Sequence, residues 1–106
     1  MSSKRDLNHF FVIITPYRKD FVTNPKEEEN KIMSDHFLYL KELMNKGKLF
    51  LAGPTLKLDD PFGVLIFEVD TEEEARILLE NDPSCKAGIQ KVSDLRPIRL
   101  SLVKED

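Results

Sequence analysis

Apolar positions along this chain change their spacing several times, and each change marks an element. His9 to Thr15 (HFFVIIT) is rich in Phe, Val and Ile and ends at Pro16, which predicts a first strand. Residues 16–25 carry Pro, Asp, Thr and Asn and read as loop. A helix is expected to start near Asn24 or Pro25, with Asn as cap, Pro at the first helical position and Glu27, Glu28 and Glu29 at the positive end of the dipole. Met33, Phe37, Leu40 and Met44 then recur at spacings of four, three and four, one helical face, widened by Ile32, Tyr39 and Leu43. Gly47 is the expected stop.

Leu49 to Ala52 predicts a second strand, closed by Gly53 and Pro54, and Thr55 to Phe62 a loop. Gly63 to Val69 predicts a third strand. The runs LFLA and VLIF are continuously apolar, which implies burial on both faces of the sheet. Thr71 and Glu74 have capping-box spacing and open a second helix. Its apolar face is Ala75, Leu78 and Leu79, and position 82 continues that series before Pro83 ends the helix. Residues 84–88 read as a turn, and Ile89 to Val103 as a last strand interrupted at Pro97, a residue suited to a bulge or an edge.

The order β-α-β-β-α-β is the ferredoxin-like split βαβ pattern. It predicts an α+β domain: one antiparallel four-stranded sheet with both helices on one face. Nothing in the sequence covers the other face, so a homodimer packed sheet against sheet is expected. At 106 residues, a single domain spanning 1–106 is expected.

Composition narrows the function classes. The chain is 41% hydrophobic and 33% charged, a globular composition. A net charge of -3 argues against a general nucleic-acid binder, which needs basic residues to displace counterions. The single Cys85 excludes an internal disulfide and fits a reducing compartment. The apolar stretch near the start is too short to span a membrane and no small-residue cleavage site follows it, so a cytoplasmic location is expected. Two histidines and one cysteine make no spaced metal motif, and there is no Gly-rich phosphate loop, so neither a metal nor a cofactor is expected. The triple-Glu runs at 27–29 and 72–74 read as solvated first turns, and His9 as an exposed strand-start residue. Arg96 and Arg99 are the candidates for contact with an anion.

Two polar residues stand where apolar ones belong. His36 lies three residues after Met33 and four before Leu40, inside the first helix's stripe. Asp82 lies three residues after Leu79, on the second helix's stripe, at the unfavourable end of its dipole. A core-lining histidine and a turn-forming Asp before Pro would give the same pattern. A buried carboxylate needs a partner, however, and imidazole exchanges protons near neutral pH. Together they make a candidate catalytic dyad in which Asp82 orients the ring of His36 and His36 moves the proton.

The stretches HFLYLKELMNKGKLFLAGP (36–54), GVLIFEVDTEEEARILLENDPSCKAG (63–88) and LRPIR (95–99) resemble the YciI-like (YCII-related) family. The resemblance implies a ferredoxin-like fold, a dimeric α/β barrel assembly and an active site with a His-Asp pair. The family's helix histidine matches His36, and its Asp-Pro aspartate matches Asp82. Many relatives carry Arg where this chain has Met33, an aromatic residue near Ser84 and Cys85, and Trp at Ile98. The resemblance implies proton-transfer chemistry on small, often ring-derived molecules. The expected function is a cofactor-independent lyase or isomerase using His36 and Asp82. The alternative is a non-catalytic module that binds a small metabolite or a partner. A third idea, an oxygenase, follows only from related barrels.

Overall fold

The computed structural model describes residues 8–104. The expectation about a leader at the chain's start falls mainly on residues outside that set. The elements are β1 (His9–Pro16), α1 (Glu27–Asn45), β2 (Leu49–Pro54), β3 (Gly63–Glu68), α2 (Glu72–Glu80), α3 (Pro83–Lys86) and β4 (Gln90–Pro97). The strands form one sheet in the order β2-β3-β1-β4. Every neighbouring pair is antiparallel. This is the expected ferredoxin-like arrangement, with the short α3 added.

Strand register decides which side chains meet. Phe10 lies opposite Phe67 and Val12 opposite Leu65. These four pack with Leu40 and Leu43 of α1, Leu49 of β2, and Ala75 and Leu79 of α2 in one core. Phe67 and Leu65, 1% and 2% exposed, each contribute about 2–3 kcal/mol by burial. Where Ile14 crosses Gly63, a Cβ on the glycine would stand 3.1 Å from Ile14 Cγ1, so the Ile14 side chain packs against a position that lacks one.

The opposite face is a second apolar band. Phe11 pairs with Ile66 and Ile13 with Val64 across β1 and β3. Leu51 of β2 stands opposite Ile66. Phe50 and Leu51 are 39% and 41% exposed. Of the apolar run of β2, only Leu49 is buried within a single chain.

Several boundaries differ from expectation. The first helix is capped at Lys26, not at Asn24 or Pro25. Lys26 N–H donates to Glu29 Oε1 at 2.8 Å, so an acidic side chain inside the first turn does the capping. The face of α1 turned to the core holds Glu29, His36, Leu40 and Leu43. Phe37 and Met44 are 61% and 46% exposed and lie off that stripe. The final strand ends at Pro97, and residues 98–104 form no strand. Proline lacks the N–H that a continuing ladder needs.

Candidate active site

Local structure at both ends places the two candidate residues. α1 carries His36 four residues before Leu40 and so points it into the interior beside the core. Gly47 then ends α1 with a positive φ of 78°. Lys48 N–H reaches back to Leu43 O and Gly47 N–H to Met44 O, a Schellman closure.

Asp82 is placed by a mechanism the stripe did not indicate. α2 stops at Glu80, and Asp82 is the N-cap of α3. Its Oδ1 accepts from Ser84 N–H at 2.8 Å. Pro83 suits the first helical position because its missing N–H would have no partner there. Asp82 thus sits at the favourable end of a short helix while directly following the C-cap of α2. Residues 84–86, expected as turn, belong to that helix, and Gly88 closes it with a φ of 76°. The positive φ is the reason for glycine at this position.

The two side chains meet. His36 Nδ1–H donates to Asp82, 2.8 Å from Oδ2 and 2.9 Å from Oδ1. Asp82 is 1% exposed and His36 8%. Ser84 Oγ lies 2.9 Å from Asp82 Oδ1 and 3.3 Å from His36 Nδ1. It also lies 2.9 Å from Gln90 Oε1, so one hydroxyl hydrogen faces two acceptors. Turning the Gln90 amide end for end satisfies all three groups: its NH2 donates to Ser84, and Ser84 donates to Asp82. The convergence of donors compensates the carboxylate for its burial.

Neighbouring groups register that carboxylate. Burial, and then the charge of Asp82, push the Tyr39 hydroxyl up to about 12. The same two causes push the Cys85 thiol up to about 11. Tyr39 donates to Leu78 O at 2.7 Å, tying α1 to α2 beside the pair.

With Nδ1 committed to Asp82, the tautomer leaves a lone pair on His36 Nε2. Nε2 makes no hydrogen bond among the described residues. His36 is in the wall of a cavity of about 560 Å3 whose lining includes Met33, Leu40, Phe21 and Phe62. The carboxylate of the dyad is therefore buried, and its histidine belongs to the wall of a space large enough for a ligand.

The loop between β1 and α1 contributes Phe21 and Val22 to this wall. Arg18 holds that loop to α1: its Nη2 lies 2.5 Å from Glu29 Oε1 and its Nε 3.2 Å from Oε2. Tyr17 OH also donates to Glu29. Glu29 is 2% exposed, so the first triple-Glu run is not a wholly solvated turn. The Arg18 hydrogen bond holds the Glu29 carboxyl down at about 2, against the opposing effect of burial. In the second run, Glu74 pairs with Lys48 at 2.5 Å, which lowers its carboxyl.

The other candidates lie elsewhere. His9, expected to be exposed, is 1% exposed. It sits on the outer face, cross-strand from Glu68 and with its ring edge-on to Phe50 at 5.7 Å, so the two histidines do not meet. Arg96 lies opposite Phe11 on that outer face and pairs with Asp94 at 2.9 Å. Arg99 follows the end of β4. Cys85 belongs to a different cavity, of about 430 Å3. No cluster of three or more potential metal ligands exists among the described residues. No helix among them is long and apolar enough to cross a membrane.

A model of the YCII-related domain matches residues 9–99. The chain belongs to the YCII-related family. No curated protein matches it. Among solved structures, this YCII-related protein is similar to 5-chloro-2-hydroxyhydroquinone dehydrochlorinase (TftG) from Burkholderia phenoliruptrix AC1100, in complex with 2,5-dihydroxybenzoquinone. Identity is 27% and the TM-score 0.57, over 80% of this chain and 91% of that one. It is also similar to protein YJCS at 15% identity and a TM-score of 0.49, over 82% of this chain and 90% of that one.

Ser84 and Gln90 were not singled out by sequence reasoning as members of the cluster. The signal for Ser84 was present in Asp-Pro-Ser, since an Asp cap followed by Pro puts the third residue's N–H against the carboxylate. Gln90 had no comparable signal: a polar residue at a strand start is ordinary until the fold places it beside Ser84.

Proposed function

We propose that this protein is a lyase or isomerase that moves a proton on a small organic molecule, with His36 Nε2 as the base and Asp82 as the group that orients it. The observation that carries the reading is the bond from His36 Nδ1 to Asp82 with His36 in the lining of a cavity. A C–H or O–H proton of the ligand passes to Nε2. Asp82 stabilises the imidazolium that results, and the proton returns to the product or to solvent. In a dehydrochlorination, the electron pair left on carbon would expel chloride. The similarity to a dehydrochlorinase at 27% identity supports this class of step. Each step assigned here is carried by a side chain of this protein.

The test is turnover on a panel of chlorinated hydroxyquinols and cyclic acids, each with and without an apolar chain on the ring. Wild type is expected to convert at least one member, and His36→Gln to be slower by about 100-fold or more, the usual worth of a positioned base. A wild type inert on the whole panel, or a His36→Gln variant as fast as wild type, overturns the reading.

We also propose that two copies pack through their outer sheet faces. The apolar band there, with Phe50 and Leu51 about two-fifths exposed, supports it. Because Leu51 is exposed in one chain, Leu51→Asp leaves the protomer's core intact. Light scattering is expected to show a dimer for wild type and a monomer for Leu51→Asp. A monomeric wild type at micromolar concentration refutes it.

A further inference from the structure

The cavity beside His36 narrows the substrate class. Its volume is about 560 Å3, whereas a void of roughly 150 Å3 is enough to hold benzene. A single ring would leave most of this space unfilled. Sites for ligands of several tens of atoms run about 300–1,000 Å3.

The lining is apolar almost throughout, and among the described residues its ionisable members are His36 and Lys41, with no Asp or Glu. Lys41 stands one helical turn after Phe37, and its Nζ lies 5.9 Å from that ring's centroid. It is therefore the one fixed charge among the described residues of the wall. The far side is the loop between β2 and β3. Thr55 N–H donates to Phe62 O at 2.8 Å, and Phe62 N–H donates to Thr55 Oγ1 at 3.2 Å, closing the loop at its neck. Beyond that neck, Leu56 and Leu58 line the cavity yet remain 87% and 60% exposed. Large apolar side chains held at a cavity rim gain by contact with an apolar ligand.

We infer that the site takes an amphipathic organic anion: an apolar body longer than one ring, packed against Leu56 and Leu58, with a single carboxylate or equivalent group held by Lys41. The inference rests on the proposed reading only in that His36 marks the reacting end. A neutral ligand would leave Lys41 without a counter-charge, and a dication would meet no carboxylate in the wall.

Calorimetric titration with benzoate, 4-ethylbenzoate, 4-butylbenzoate and 4-hexylbenzoate, and with neutral 4-butylbenzamide, tests it. Affinity is expected to rise up to about fourfold for each methylene buried. The butyl acid is expected to bind at least about fivefold tighter than its amide. Lys41→Gln, at an exposed position, is expected to abolish the acid's advantage while keeping the dependence on chain length. Leu56→Ser with Leu58→Ser is expected to flatten that dependence while keeping the acid's advantage. His36→Gln is expected to keep both trends while losing turnover, so failure of the catalytic reading and failure of this one are separate results. Affinity independent of chain length, equal binding of acid and amide, an unaltered acid preference in Lys41→Gln, or no binding by any acid of the series each overturns the inference.

Discussion

His36 and His9 are both buried, and they occupy opposite sides of the same sheet. His36 has a carboxylate at 2.8 Å on one nitrogen and a cavity beside the ring. His9 has a buried Nδ1 with no hydrogen-bond partner, and an Nε2 that is 3.7 Å from Glu68. Burial alone therefore does not distinguish the two histidines. The helix-side histidine differs because a capped turn, a serine and a glutamine were built around its carboxylate partner, and because space was left next to it. The strand-side histidine has packing against Phe50 instead.

The comparison can be broken most forcefully by activity. If His36→Gln lowers turnover by the roughly 100-fold to 10,000-fold typical of a lost general base, His9→Gln should leave it within about twofold. Steady-state kinetics on the same substrate read both, and comparable losses in the two variants would erase the distinction.

Stability gives the next largest contrast. Asp82→Ala removes the helix cap and leaves the Ser84 N–H, the Ser84 hydroxyl and His36 Nδ1 without their acceptor. A loss of about 3 kcal/mol is expected in urea denaturation. Asp82→Asn, which can still cap, should lose less. A variant lacking Asp82 with unchanged stability would show that the cluster is not held together by this carboxylate.

A smaller effect concerns the clamp on the loop that supplies Phe21. The Glu29 carboxyl ordinarily titrates at 4.5 and is held at about 2 in the folded chain. The folded state thus binds fewer protons than the unfolded one between those values. The stabilisation is complete above pH 4.5 and is lost as pH falls toward 2. The stability gap between wild type and Glu29→Gln should shrink across that window. A gap constant from pH 6 to pH 2.5 would contradict the assignment.

The smallest change is expected at His9. His9→Phe removes a buried nitrogen that has no hydrogen-bond partner and keeps a ring against Phe50. Its effect on unfolding should stay within about 1 kcal/mol of zero, and a gain is as compatible with the structure as a small loss. A loss as large as that of Asp82→Ala would reveal an unrecognised role for this face.

Much of this was legible in the residues. Apolar runs rich in Phe, Val and Ile located the four strands, and helical spacing located the two longer helices, because both are local signals. The ferredoxin-like order followed from the sequence of elements. His36 stood out because an imidazole on an apolar stripe is unusual, and Asp82 because a carboxylate in the same position is more so. The stripe accounts for Asp82 only in part: α2 ends two residues sooner, and a cap directs the carboxylate inward. A single helical period cannot distinguish the end of one helix from the start of the next.

What the sequence determined alone was the four strands, the two longer helices and the two chemically suited side chains. What only the tertiary structure decided was their meeting across 46 positions of chain, the recruitment of Ser84 and Gln90, the pairing of Arg18 with Glu29 and the burial of His9. The physical reason is range. Propensity, capping and periodicity act within a few residues, whereas a hydrogen bond between distant side chains exists only after strand register and helix packing have set both backbones.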